Sequence, residues 1–557
     1  MNMPSRRSFL GFAGATAGAA ALAACTSAPP NSTPGQGNTA AANANDSGAM
    51  TNYAAGTQFK ATKPLSLSIA ILSNPNYPYK ANWLFFTHLK ALTNVDLTAN
   101  ANVIPYADYT TKVSTLIAAG QEPYIIPKTY PGEETPFVAG GQILPIDEYV
   151  QHMPNFQAKV AAWNLNGDLD TLRQSDGHYY LLPGLHQSVV SDYTMGVRTD
   201  LLTKYNIPTP STLDNVEAML TTFKDKNPGH YPFSDRYNQP TPGGAFLAML
   251  STAYGTNAGW NYQSYNEGAY FDHTTNQYLF AAAMPQYQQM VTYLNGWYNK
   301  GLIDPESFTQ PDTQAQAKVT SGKSFALMEN AQQIAIDQKA MPAGQTLGKI
   351  PVPLGPTGAI VTGSRLDAGL MISTKAAKDP NFIAILQFID WLWYSDAGMI
   401  FARWGVEGTT FTGNVADGTF QLEPQVDWSG LHPNAKIEIN ATYGFYNGVF
   451  SVGGSNQLMQ TQYPPAELAF QKVMDARTPL PVNPPAPLTT LQSQTATTSG
   501  TSLMDYVQGQ TIDFITGKRP LSQWSAFQSE LQGKGSANFL NIFTTAYNTY
   551  KTAHPSA

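Results

Sequence analysis

The sequence predicts an α/β fold with a mostly parallel sheet, its mass shared between two large lobes. Two observations lead there. From Leu65 onward, short apolar runs of strand character alternate with stretches of helical period, the pattern of βαβ units. Of the 557 residues, roughly 500 follow a leader and tether, too many for one core.

The leader opens on Arg6-Arg7, continues as an uncharged Ala- and Gly-rich run from Phe9 to Ala24, and reaches Leu22-Ala23-Ala24-Cys25. That run is too short and too rich in glycine to span a bilayer, which takes about 20 residues. Ser5-Arg6-Arg7-Ser8-Phe9-Leu10 resembles a twin-arginine export signal, and Leu22-Ala23-Ala24-Cys25 resembles the lipobox of bacterial lipoproteins. The resemblance implies cleavage before Cys25 and lipid on its sulfur. Thr26 to Thr57 is Ser, Thr, Asn, Ala, Gly and Pro with one charge, Asp46, and is expected to be a flexible tether. Cys25 is the single cysteine, so the body is held by its core without an internal disulfide.

Charged residues are 12% of the chain against roughly a quarter in an average domain, aromatics are 11%, and net charge is -7. Its surface must be rich in Asn, Gln, Ser, Thr and Tyr. Nothing is basic enough for nucleic acid, and no later stretch is apolar enough to cross a membrane.

Within the body, Leu65 to Leu72 reads as a strand, Asn74-Pro75-Asn76-Tyr77-Pro78-Tyr79 as a turn-rich loop, and Trp83 to Thr93 as a helix. A strand at Val95 to Val103, a helix at Tyr109 to Ala119, a strand at Tyr124 to Pro127 and a further element at Ile143 to Asp147 follow. A strand-like run ends at Pro183. Ser211 and Asp214 have capping-box spacing ahead of Val216, Met219, Leu220 and Phe223, one core face of a helix. Tyr287, Met290, Val291, Leu294, Trp297 and Tyr298 repeat that pattern before a stop at Gly301. Parallel strands place ligand chemistry in the loops beyond their ends.

Several of these segments carry a likeness. Arg198-Thr199-Asp200-Leu201-Leu202 with the helix start from Pro208 to Asp214, Trp297 to Pro305, and Gly322-Lys323-Ser324-Phe325-Ala326 resemble the family 1 extracellular solute-binding proteins. So do Phe388 to Gly398 with Gly405-Val406-Glu407-Gly408, and the closing Ala546-Tyr547-Asn548-Thr549-Tyr550. The likeness is nearest to the lipoprotein branch that feeds oligosaccharides to ABC importers. It implies a two-lobed, periplasmic-binding-protein-like (Venus flytrap) fold with a hinge that the chain crosses several times. On that basis residues 1–24 are signal and 25–57 anchor and tether. Lobe 1 comprises 58–185 and 366–410, and lobe 2 comprises 186–365 and 411–557. Many members of the branch carry a calcium loop after the helix that begins here near Ser211. The stretch from Lys224 to Pro232 has one carboxylate, whereas calcium takes about six to eight oxygens, so neither metal nor cofactor is expected.

The resemblance implies recognition without reaction in an interlobe cleft. A sugar offers an apolar ring face and a belt of hydroxyls, which call for aromatic platforms and forked hydrogen-bonders. Aromatics in polar, turn-rich loops are the candidates: Trp83, Tyr130, Trp260, Trp404, Tyr443 and Tyr446. Trp260, in a loop of no helical or strand period, is the foremost platform; Trp404 ends a buried helix, where packing competes with ligand contact. His186 and Gln187 lie where the first interlobe crossing is expected. Glu407 is a ligand contact or a turn contact, and Arg365 forks onto a uronate carboxylate or onto Asp367. Arg198 with Asp200 is a structural ion pair, and Trp297, Trp391 and Trp393 are core.

The expected function is that of an exported solute-binding lipoprotein. It would capture an oligosaccharide and deliver it to the permease subunits of an ABC transporter, as a monomer held to the outer face of the membrane by lipid on Cys25. Two other readings stand beside it. A surface-anchored polysaccharide-degrading enzyme would draw on carboxylates such as Glu133, Glu134, Asp192 and Glu407. No nucleophile elbow, zinc pattern, dinucleotide fingerprint or P-loop supports enzymatic chemistry. A peptide-binding lipoprotein is the other reading, which the low charge content disfavours.

Overall fold

The computed structural model describes residues 47–235, 243–259, 268–361 and 363–554. Trp260 and Cys25 lie outside the described residues, as do residues 1–46 of the leader and tether.

Nine strands matter to the site: β1 (Leu65–Ser73), β2 (Val95–Pro105), β3 (Ile125–Thr129), β4 (Leu182–His186), β5 (Thr194–Arg198), β6 (Ala326–Glu329), β7 (Leu347–Lys349), β8 (Leu366–Ile372) and β9 (Gly453–Gly454). One sheet has the order β9-β4-β8-β3-β1-β2. In it β1 runs parallel to β2 and β3, and β9 parallel to β4. Only β8 opposes its neighbours. The other sheet has the order β6-β5-β7 with β5 antiparallel to both partners. The βαβ reading therefore fits the first sheet and not the second.

Two separate hydrophobic cores follow these sheets. The first, around β1, β3, β4 and β8, includes Phe85, Phe156, Trp391, Trp393 and Trp404. The second, around β5 and β6, includes Val216, Met219, Leu220, Phe223 and Trp297. The helix Leu213–Lys226 presents those four side chains inward as its 3.6-residue period dictates. Its cap is shifted by one residue from expectation: Thr212, not Ser211, accepts from the amide of Asn215 at 3.1 Å.

Two expected boundaries are corrected by the packing. Residues 411–458 were expected in lobe 2, yet Phe411, Leu422, Val426, Trp428, Ile439, Phe445, Phe450 and Leu458 join the first core. The aromatic side chains explain it, since Phe450 stacks on Phe85 at 4.5 Å and Phe401 packs edge-on to Phe445 at 5.5 Å. The end of the expected tether is also docked. Ala49 is buried in the first core, the Met50 amide donates to Gln387 Oε1 at 2.8 Å, and the Tyr53 hydroxyl donates to Asp390 at 2.9 Å. Within this stretch Met50 and Tyr53 pack partly buried against the first core, next to Phe59 at the start of the expected lobe 1, contacts that its polar composition hid.

The chain passes between the sheets at 187–193, at 350–365 and after Leu458. There Lys349 meets Glu467 at 2.8 Å, both side chains being buried. The Lys349 Nζ also donates to the Asp192 carbonyl at 2.8 Å and lies 3.8 Å from the Phe470 ring centroid. Val361, Phe470 and Met474 form a small core of their own beside it.

Candidate functional site: the cleft between the sheets

The strand directions gather one set of loops at one edge of the first sheet. Tyr77 follows β1, Tyr106 follows β2, Lys128 and Tyr130 end β3, His186 ends β4, and Asp367 begins the opposed β8. This is the carboxyl edge of the parallel strands, where open α/β sheets bind ligands. Tyr106 and Tyr130 are exposed and Tyr77 is half-buried. Burial raises the Tyr77 hydroxyl, with Lys128, Tyr106 and Tyr130 as the charges and hydroxyls around it. Tyr77 and Tyr130 lie beside the Lys128 ammonium, which is 5.1 Å from the Tyr130 ring centroid, and Tyr106 lies beside Tyr77.

Lys128 takes its direction from irregular backbone. Its φ is +57°, and the β8–β3 register slips between Gly369, opposite Thr129, and Leu370, opposite Pro127. Lys128 is the extra residue of a β-bulge, which turns its side chain out of the pleat. Burial lowers its pKa, but Tyr130, Asp367 and Tyr77 outweigh that and hold the ammonium charged. His186 Nε2 lies 3.2 Å from Asp367 Oδ2, while its buried Nδ1 has no partner among the described residues. Burial raises the Asp367 carboxyl, but His186, the Ala368 amide and Lys128 outweigh it and keep it below the ordinary value.

From the second sheet, the facing edge is the start of β5, the end of β6 and the end of β7, which bring Asp192, Asn330 and Lys349 forward. Asp192 is exposed to water, yet desolvation pushes its carboxyl up. A group that is both wet and flanked by protein sits in a concavity. Lys349, Glu467, Asn330 and Asp367 all act on it, so Asp192, two residues ahead of β5, lies near Asp367 at the edge of the first sheet. Tyr446 also lies within reach of Asp192 and Arg403. It stacks on Trp428 at 3.8 Å between centroids, at a φ of +53°.

The structure separates the expected ligand residues. Tyr130, His186 and Tyr446 belong to the cleft constellation. Gln187 is exposed at the crossing, its Oε1 accepting from the Asn456 amide at 2.9 Å. Tyr443 is partly buried against the first core, and Glu407 is exposed in a turn bridged to Phe411. Three expectations are corrected. Trp83 is 3% exposed, covers Gly444 and packs against Tyr79 and Phe86. Trp404 is 0% exposed, with its indole N–H donating to Thr461 at 2.9 Å. Both are core because a neighbouring glycine or helix end leaves a hole that an indole fills. Arg365 forks onto Asp168, not Asp367, and also donates to the carbonyls of Trp163 and Asn164. Arg198 does pair bidentately with Asp200, at 2.7 and 2.6 Å.

Sequence reasoning missed Tyr77, Tyr106, Lys128 and Trp428. The rule that ligands bind beyond parallel strand ends could have found Tyr77 and Tyr106; no sequence signal marks the bulge at Lys128. Among the described residues no group of three or more His, Cys, Asp or Glu side chains could hold a metal, and no helix is long and apolar enough to cross a membrane.

Comparison with known proteins places this architecture. Lipoprotein LipO of Bacillus subtilis (strain 168) is 22% identical over 333 residues, 57% of this chain; the match spans 62% of that relative's length. Among solved structures, an HMO-binding ABC-transporter-associated solute-binding protein from Bifidobacterium longum infantis aligns with a TM-score of 0.66 at 17% identity, covering 88% of this chain and 99% of the other. The S. pneumoniae ABC-transporter substrate-binding protein FusA, in complex with kestose, gives 0.64 at 17% identity, covering 88% and 100%. The alginate-binding protein AlgQ2, without calcium ion, gives 0.63 at 18%, covering 88% and 99%. These likenesses establish the two-lobed solute-binding fold. The model of the bacterial extracellular solute-binding proteins matches residues 83–398, more than half of the chain, and the protein belongs to that family.

Proposed function

We propose that the cleft captures an oligosaccharide, and that the chain, anchored by lipid on Cys25, delivers it to the permease subunits of an ABC transporter. The observation that carries this reading is the cluster of Tyr77, Tyr130, Lys128 and Asp367 at the carboxyl edge of the first sheet, with Tyr106 beside Tyr77 and Asp192 near Asp367. Aromatic faces suit the apolar side of a sugar ring, and an ammonium, a carboxylate and an amide suit its hydroxyls. The descriptions of the structural relatives, an HMO-binding protein and a kestose complex among them, support the same ligand class.

Capture needs no reaction. The lobes meet directly where Lys339, on the helix Ala331–Ala340, pairs with Asp427 at 3.3 Å and Glu438 at 3.0 Å. A ligand touching both lobes favours whichever arrangement brings their edges together, by its differential affinity for it. Loaded, closed protein is then the form that docks on the permease, and the lipid keeps the search local.

Thermal melting against neutral oligosaccharides, uronate oligosaccharides and peptides tests the reading. A ligand specific to the native state raises stability by about 2.7 kcal/mol at a hundredfold excess over Kd. A shift with saccharides alone is expected. A shift with peptides alone, or release of shorter products from the saccharide, would overturn it.

A further inference from the structure

We propose that Lys128 and Asp192 form a donor and acceptor pair that grips one sugar ring from opposite lobes, and that this pair selects uncharged saccharides over uronates. The proposal rests on the carbohydrate reading above.

The charges in the cleft are arranged unequally. Lys349 is taken by Glu467 at 2.8 Å, His186 sits against Asp367 at 3.2 Å, and Arg403 donates to the Gly453 carbonyl. Arg365 is committed to Asp168. Lys128, Asp192 and Glu133 remain without an ion-pair partner among the described residues, and Glu133, which acts on Lys128, is occupied by the Tyr130 amide. Lys128 forms no ion pair within 4.0 Å and has the Tyr130 hydroxyl as a hydrogen-bond partner, while Asp192 has the Asn330 side chain. Both are reached by water; Lys128 lies in the bulge at the end of β3 and Asp192 two residues ahead of β5.

An unpaired ammonium in a desolvated site is costly unless its three N–H donors find acceptors. The bulge and left-handed backbone at Lys128 aim it there although a plain strand would have tucked it into the pleat. Sugar hydroxyls satisfy both ends at once: they accept from Lys128 and donate to Asp192. A uronate does not. Its carboxylate would pair with Lys128, but it would enter a cleft that already holds Asp192 and Asp367, and like charges in a low-dielectric site repel strongly. The pair is thus complementary to a neutral polyol and frustrated by an anionic one.

Calorimetric titration of the full chain with maltotetraose, kestose, xylotetraose and tetragalacturonate tests this, using wild type, Lys128→Met, Lys128→Gln and Asp192→Asn. Melting of each unliganded variant checks that it folds. Wild type is expected to bind at least one neutral probe and to reject the uronate. Each variant should weaken that neutral probe by about 10- to 100-fold, the loss of one charge-assisted hydrogen bond. Asp192→Asn should in addition lower the ratio of neutral to uronate affinity by about tenfold, which a merely structural residue would leave alone. Neutral binding that survives in all three folded variants would overturn the pairing while leaving the carbohydrate reading intact. Preferred binding of tetragalacturonate by wild type would overturn the selectivity. No heat with any saccharide would overturn both.

Discussion

Individual side chains in this protein are decided by what surrounds them more than by their type. Trp83 and Trp404 have the composition of sugar platforms and fill core holes, whereas Tyr77 and Tyr106, in plain strand-end loops, lie at the carboxyl edge of the parallel strands with Tyr106 exposed. Polar loop context alone did not separate them, because it does not say which loops meet. Glu134 shows the same dependence. It is 1% exposed, accepts from the Gly132 amide at 2.7 Å, and burial pushes its carboxyl up to about 7. A raised carboxyl binds its proton more tightly when folded, so its contribution is fully present below the ordinary carboxylate pKa and is lost as pH rises through about 7. Comparing Glu134→Gln with wild type in urea melts from pH 4 to pH 8, wild type should lose about 3 kcal/mol relative to the variant. The buried Lys349–Glu467 pair behaves oppositely, since breaking it strands a charge. Lys349→Met should cost about 3–5 kcal/mol in urea unfolding, and Lys349→Met with Glu467→Leu should recover part of it.

At the scale of elements, the alternating strands and helices of the first sheet were legible because period and turn residues agree, and each of β1, β2 and β3 falls within a few residues of its reading. The pairing of β9 was not. It is two glycines, Gly453 and Gly454, that approach β4 so closely that a Cβ on Gly453 would stand 2.1 Å from the Leu185 carbonyl oxygen, at a φ of +84°. Gly453→Ala should therefore cost at least about 2 kcal/mol by urea unfolding. Gly120→Ala, at φ +61° with open space around it, should cost only about 1. The stretch from Met50 to Thr57 was read as tether because its composition is polar, yet Tyr53 reaches Asp390, which also accepts from Asn155 at 2.6 Å. Tyr53→Phe should cost about 1–2 kcal/mol and speed amide hydrogen exchange across residues 48–59.

For the whole molecule, two lobes were legible from length and from the order of family-like segments, while their membership was not. Residues 411–458 return to the first core through aromatic contacts whose partners lie over three hundred positions away, such as Phe85 with Phe450, and no local pattern encodes such a pairing. The lobes touch through Lys339, half-exposed between Asp427 and Glu438. Removing it with Lys339→Ala should change melting little, as for an exposed pair worth up to about 1 kcal/mol, but should weaken saccharide affinity about two- to fivefold by favouring the open form. Capture between the lobes is tested most directly by hydrogen exchange, with and without a saccharide that raises the melting temperature. Simultaneous protection is expected at residues 125–134 and 186–188 of the first lobe's edge and at 192–195 and 329–331 of the second. Protection confined to one lobe, or falling away from these segments, would contradict binding in the cleft.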